Sequence, residues 1–304
     1  MSKPCSLTAG RAPGTAEARL VTPALRIILG VALMSFGGLG IKLCSFGPWQ
    51  LAGVRALFAA ATMYLLVPRS RVRWSLGVWA GGACLCGAYV FYVWANKTTT
   101  AANTIFIECA APLWVLFLSP FLLKEPIRLR DSVTVVAMAA GLALFFAAPE
   151  KATVLSPEIA RGNLLALAAS LCFAGEIIAL RALRKGGAEA TVVAGNLMAA
   201  VVCAVPLLAV PGGFSGGTAT DWLLVVVMGT VQVGVAYILF ARGMRDIPAT
   251  RASLIGMVEP VLNPLWVFLV FPAEKPGQWA LLGGAIILAG VAYQAMAGGT
   301  GRRS

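Results

Sequence analysis

The chain has 304 residues, 59% of them hydrophobic and 12% charged, with a formal net charge of +12 and no histidine. A soluble domain carries about twice that share of charge, so a soluble globular fold is excluded, and the basic residues stand in short clusters between apolar runs, a topology signal rather than a nucleic-acid-binding face. The seven cysteines lie mostly within apolar runs; Cys84 and Cys86 come nearest to a metal pair, but one intervening residue is not zinc spacing, so neither a metal nor a cofactor is expected.

Residues 1–20 hold Lys3, Arg11 and Arg19 with proline and glycine and no apolar core. They read as a short disordered cytoplasmic tail, and no cleavage site follows the first apolar run as a signal peptide would require. Ten apolar spans follow, at about 24–43, 48–67, 76–94, 101–123, 131–148, 162–183, 190–210, 221–243, 250–272 and 277–297. Each is about 18 to 23 residues long, enough at about 1.5 Å per residue to cross the hydrocarbon core of a bilayer. Trp49, Trp74, Trp94, Trp222 and Trp279 stand near span ends, where aromatic rings anchor at the interface. Glycines such as Gly37, Gly38 and Gly40, the Gly77/Gly81 pair and Gly283/Gly284 read as sites of close helix packing.

Span four carries ECAAPLWVLFLSPFLLKE, Glu108 to Glu125, and span nine carries EPVLNPLWVFLVFPAE, Glu259 to Glu274. Each copy holds a carboxylate and a proline inside an apolar segment and closes on an acid. A buried acid is costly in lipid and a proline interrupts the helix ladder, so the recurrence points to one unit used twice. The connection at about 149–161 divides the chain into a first five-helix repeat at 21–150 and a second at 158–298. Two units with an odd number of crossings enter the membrane from opposite sides, which makes an all-α membrane protein of two inverted repeats, the architecture of alternating access. Eighteen Lys and Arg gather at one set of span ends, five (Lys42, Lys97, Lys151, Arg161, Lys275) at the other, and Arg55 lies inside span two. That bias places both termini in the cytoplasm and the chain in the cytoplasmic membrane.

The paired motifs, together with SFGGLGIK at 35–42, VRALFAA at 54–60 and GNLLALAASLCFAGE at 162–176, resemble the EamA-type branch of the drug/metabolite transporter superfamily over about 25–297. The resemblance implies a ten-helix inverted-repeat fold and secondary transport, often export, of amino acids or other small polar metabolites. ECAAP at 108–112 is similar to a Glu-x-x-x-Pro version found in some amino-acid exporters.

Four charges lie well inside spans: Arg55, Glu108, Glu176 and Glu259. A carboxylate there needs a partner or takes a proton. Glu108 and Glu176 are therefore candidates for a substrate ammonium, and Arg55 for a substrate carboxylate or as counter-ion to the acids. Tyr92, Tyr237, Trp94 and Asn263 are candidate substrate-lining residues, within a wider set of buried aromatics and amides that includes Tyr89 and Trp266. Glu108, Glu259 and Lys42 are candidates for a coupling group or a structural ion pair, with Lys42 or Arg55 facing Glu176. Glu125 and Glu274, at span boundaries, read as helix-end or loop hydrogen-bonding groups.

The sequence holds no GxxxxGK[ST] motif, HExxH or paired-Asp motif, so neither direct ATP drive nor catalysis is expected. The expected partners are a small-molecule substrate, the lipid bilayer and a second copy of the chain, with no nucleic acid. Import or exchange of sugars, nucleotide-linked metabolites or cationic drugs, or a receptor or scaffold role on a transporter fold, stand as alternatives.

Overall fold

The computed structural model describes residues 14–67, 74–122, 129–147, 151–183, 187–209, 213, 214, 216–244 and 255–300. Glu125 and the basic residues at positions 69–73, 124, 128, 184, 185, 245 and 251 lie outside them. Among the described residues every regular element is helical: α1 Gly14–Ser35, α2 Gly37–Leu43, α3 Pro48–Leu66, α4 Leu76–Thr98, α5 Ala101–Glu108, α6 Ala111–Leu122, α7 Leu129–Ala147, α8 Ile159–Ala182, α9 Ala188–Ala209, α10 Ala219–Val227 and α11 Ala236–Met244 joined by a π-helical stretch Met228–Val235, α12 Glu259–Val270 and α13 Gln278–Thr300. Seven stretches are long and apolar enough to cross a membrane, and three shorter apolar helices, Ser132–Ala147, Glu259–Val270 and Gln278–Tyr293, stand at the fifth, ninth and tenth expected spans. Large apolar side chains point outward, Leu76 87% and Phe121 81% exposed, which suits lipid and would be a liability in water.

Helix α1 begins at Gly14, inside the stretch expected to be tail; the run Ala16-Glu-Ala-Arg-Leu consists of good helix formers. The expected spans four and nine are both interrupted. Span four is α5 and α6 with a turn at Cys109–Ala110, and span nine restarts at Glu259 after a turn at Met257–Val258. Pro112 and Pro260 each occupy the second position of the restarted helix, where a missing N–H costs nothing because the first turn has no intrahelical acceptor for it. The repeated sequence thus becomes a repeated break with a glutamate beside it. Span one is also interrupted, at Phe36, and span eight carries the π-helical stretch.

Packing joins α4 to α8 and α9, α1 to α11, α3 to α9 and to the π-helical stretch, α7 to α13, α5 and α6 to α8, and α12 to α1, α2 and α5. One apolar core forms around α3, α4 and α9 and a second around α5, α7 and α13, and Tyr92 packs against both. One close, reciprocal helix approach lies between α7 and α13: a Cβ at Gly141 would come 2.8 Å from Gly283 O, and one at Gly283 2.7 Å from Gly141 O. Backbone oxygens cannot rotate away, so Gly283→Val is expected to force the helices apart at about 1–3 kcal/mol. A thermal melt of the detergent-solubilised protein checks this: its midpoint should fall by several degrees, whereas Gly47→Val, where nothing lies within 4 Å, should leave it unchanged.

Candidate substrate site

Four elements carry charge into the interior. Arg55, 5% exposed, projects from the middle of α3, and Glu176, 6% exposed, from the last third of α8. Glu108 is the last residue of α5 and Glu259 the first of α12. The four converge: Glu108 interacts electrostatically with Glu259, Glu176 and Arg55, and Glu259 with Arg55. No ion pair joins any of them to another described residue. The guanidinium instead lies over the ring of Tyr89, 4.7 Å from its centroid, and its Nε and Nη1 are buried without a hydrogen-bond partner, as is the Tyr89 hydroxyl. A buried guanidinium nitrogen left unpaired is expensive, and Arg55 carries two.

The helix breaks tune the two flanking carboxyls differently. Glu259 lies in the first turn of α12, where unpaired N–H groups favour negative charge, whereas Glu108 lies at the carbonyl end of α5, where they are absent. Glu108 is therefore the carboxyl with more to gain from a cation.

Tyr92 lies one turn beyond Tyr89 on α4 and within electrostatic reach of Glu108, Glu259 and Arg55. Its hydroxyl accepts a hydrogen bond from Asn263 Nδ2 at 3.1 Å, and its backbone oxygen accepts one from Asn96 Nδ2 at 3.2 Å. Asn263 is fully buried, one turn along α12 from Glu259. It reaches this place because residue 38 is glycine: a Cβ there would lie 2.1 Å from Asn263 Oδ1. Close by, Trp266 Nε1 donates to Ser35 Oγ at 3.0 Å and its ring stacks on Phe36 at the break in span one. Tyr237, on α11, shares an apolar cluster with Tyr89 and is coupled to Glu176.

Two candidates lie elsewhere. Trp94 is two residues from Tyr92, on the opposite face of α4, where it packs against Trp49 at 4.7 Å and under Arg161. Lys42 does not reach Glu176. It pairs with Glu274 at 3.3 Å, because α2 ends near the short 3₁₀ turn Pro272–Glu274 that follows α12. Arg55, Tyr89, Tyr92, Glu108, Glu176, Glu259 and Asn263 are thus brought together, with Tyr237 at their edge. Tyr89 is the residue that sequence reasoning undervalued; its spacing of one turn from Tyr92 was the available signal. Among the described residues, no three His, Cys, Asp or Glu side chains are grouped as metal ligands would be. The arrangement places a guanidinium and three carboxyls in the protein interior, with Glu108 and Glu259 within electrostatic reach of Arg55.

The EamA-like transporter family model matches the chain twice, at residues 22–147 and 160–295. The uncharacterized transporter YwfM of Bacillus subtilis (strain 168) is 26% identical over 258 residues, 80% of this chain and 83% of its own. The aromatic amino acid exporter YddG of Ancylobacter novellus is 27% identical over 218 residues, 71% of this chain and 74% of its own. A protein solved by crystallography superposes with a TM-score of 0.62 at 23% identity, covering 91% of this chain and 97% of that one, a likeness of fold.

Proposed function

The chain belongs to the EamA-like transporter family, and we propose that it is a secondary active transporter that exports amino acids, or similar small zwitterionic metabolites, across the cytoplasmic membrane by alternating access. One observation carries this reading: the guanidinium of Arg55, two of its nitrogens without a hydrogen-bond partner, lies within electrostatic reach of Glu108 and Glu259, with Glu176 within reach of Glu108. A zwitterion presents a carboxylate to the first and an ammonium to the others, and compensates charges that the protein leaves uncompensated. The name of the Ancylobacter relative supports testing aromatic amino acids first.

Alternating access rests on two five-helix repeats, 21–150 and 158–298, of opposite orientation, with both termini cytoplasmic. Three features support the repeat. The family model matches once in each half. The helix breaks of spans four and nine correspond, each with its proline at the second helical position. The packing also maps onto itself when the halves are exchanged: span three on six answers span eight on one, three on seven answers eight on two, four on six answers nine on one, and the pairs two–seven, four–nine and five–ten are their own counterparts. Such a molecule has two near-equivalent arrangements that open the same central site to either side.

Three carboxyls to one guanidinium also favour a second reading, a cationic amine without a carboxylate. One experiment separates the two. Proteoliposomes loaded with labelled phenylalanine should release label faster than protein-free liposomes with the same load when unlabelled phenylalanine is added outside, and an amine lacking the carboxylate should not compete. Competition by the amine alone favours the cation reading; no movement of any amino acid in either direction removes the amino-acid reading and leaves the family standing.

A further inference from the structure

Four segments meet at the ammonium of Lys42. The residue closes α2, and its Nζ donates to the backbone oxygen of Thr99, between α4 and α5, at 2.9 Å, to Leu155 O at 2.7 Å and to Ser156 Oγ at 2.8 Å. Glu274 Oε2, beyond the end of α12, lies 3.3 Å away. The other oxygen of Glu274 accepts from Ser156 Oγ and from Thr153 Oγ1 at 3.4 Å. The three protons of Lys42 are thus taken by Thr99 O, Leu155 O and Ser156 Oγ, and Glu274 Oε2 faces the ammonium as an ion-pair partner without a hydrogen bond of its own. The two side chains are 1% and 0% exposed; Arg161–Glu158, by contrast, is an exposed pair within one helical turn.

A buried ion pair adds little net stability over apolar side chains of the same volume; what it can impose is a single arrangement. The arrangement here fastens the two halves of the chain. Lys42 and Thr99 belong to the first half, Glu274 to the second, and Thr153, Leu155 and Ser156 to the connection between them. The fastened elements are those that carry the site. Gly38 on α2 touches Asn263 on α12, one turn before Lys42 along α2, while α12 runs on for about 10 Å from Asn263 to the turn that holds Glu274. Partial separation of the ions in a dry interior is costly, whereas complete separation lets both recover hydration. The contact therefore has two favoured conditions, closed and dry or open and wet.

We propose that Lys42 and Glu274 are the outer gate of the transport path: paired, they hold spans one, four and nine together over the Arg55 site, and their parting into water opens that site outward. The gate rests on the orientation and the alternating access proposed above, and its test reads accessibility rather than substrate movement. Cys109 serves as reporter, being half-buried and within electrostatic reach of Glu108 and Glu259.

In a full-length chain with Cys109 as its sole cysteine, an impermeant thiol reagent added to right-side-out vesicles should label Cys109 slowly. Glu274→Gln and Lys42→Met should each accelerate that labelling at least tenfold, with no comparable gain in inside-out vesicles. Unchanged labelling in both variants, or acceleration from the inner face alone, overturns the gate. Acceleration from both faces alike marks an unfolded variant, and then a second measurement decides. Lys42→Cys with Glu274→Cys, bridged by a short bis-thiosulfonate reagent, should lose at least nine-tenths of its phenylalanine counterflow and regain it on reduction. Bridged protein that turns over like reduced protein overturns the gate, whereas an unbridged parent that moves no amino acid counts against the proposed substrate and leaves the labelling result intact.

Discussion

Replacing Arg55 by methionine is expected to reduce amino-acid counterflow at least a hundredfold. The guanidinium is buried at 5% exposure on α3, stacked 4.7 Å from the centroid of Tyr89, with Nε and Nη1 unpartnered. If those donors hold the substrate carboxylate, their loss leaves that carboxylate buried and uncompensated, at a cost of about 3–5 kcal/mol, and each 1.4 kcal/mol is tenfold in affinity. Arg55→Lys separates charge from geometry. Lysine keeps the positive charge but lacks the planar fork and the stacking surface, so a loss of about ten- to thirtyfold, expressed mainly in KM, is expected. Tyr89→Leu removes a contact worth about 2 kcal/mol when desolvated and should cost about thirtyfold. Initial rates of labelled-substrate counterflow across a concentration series measure all three. A methionine variant with the parent's KM would make Arg55 a packing residue and take the zwitterion site with it.

Most of the fold is legible in the sequence because hydropathy averaged over a whole span is insensitive to local detail. The breaks in spans four and nine are legible for a different reason: the motif recurs with its proline beside the carboxylate, and a helix can restart with proline in its first turn at no cost, although proline alone does not mark a break, since Pro23, Pro120, Pro206 and Pro264 lie inside helices that continue through them. The break at Phe36 and the π-helical stretch at Met228–Val235 have no such marker. They depend on how the helix packs, Gly229 lying against the backbone of Arg55 and Gly234 against Thr62, and packing partners far apart in sequence leave no periodic trace. The same division runs through the site. Arg55, Glu108, Glu176 and Glu259 stand out because charge inside an apolar span is costly enough to need a reason. The partner of Lys42 does not stand out, since Glu274 lies at the other end of the chain and an acid at a helix end has a common local explanation. Trp94 illustrates the converse: an aromatic near a span end suits an interface anchor and a site wall equally, and its place beside Trp49 and Arg161 follows from the α4 face it occupies, which residue type alone does not reveal.

Glu108→Gln should weaken binding of a zwitterionic substrate by about ten- to a hundredfold, the range expected for a charge-assisted hydrogen bond of about 1.5–3 kcal/mol, while Glu259→Gln should cost only a few-fold. The asymmetry follows from the helix ends. Glu259 lies in the first turn of α12 with N–H groups to favour its charge, whereas Glu108 closes α5 without them, so more of the compensation for Glu108 must come from the ligand. Glutamine preserves the size of the side chain and imitates the protonated carboxyl at every pH. In the parent, acidification that protonates Glu108 removes the contact with the substrate ammonium, so affinity should fall as pH falls; in Glu108→Gln that dependence should flatten, at the weak-binding end. The chain has no histidine, so any slope that remains in Glu108→Gln is assigned to the other carboxyls of the site, Glu176 and Glu259. Substrate affinity measured from pH 5 to 9 in the parent and both variants is the deciding experiment. Parent-like affinity and slope in Glu108→Gln would assign its carboxylate to holding the break in span four rather than to the substrate.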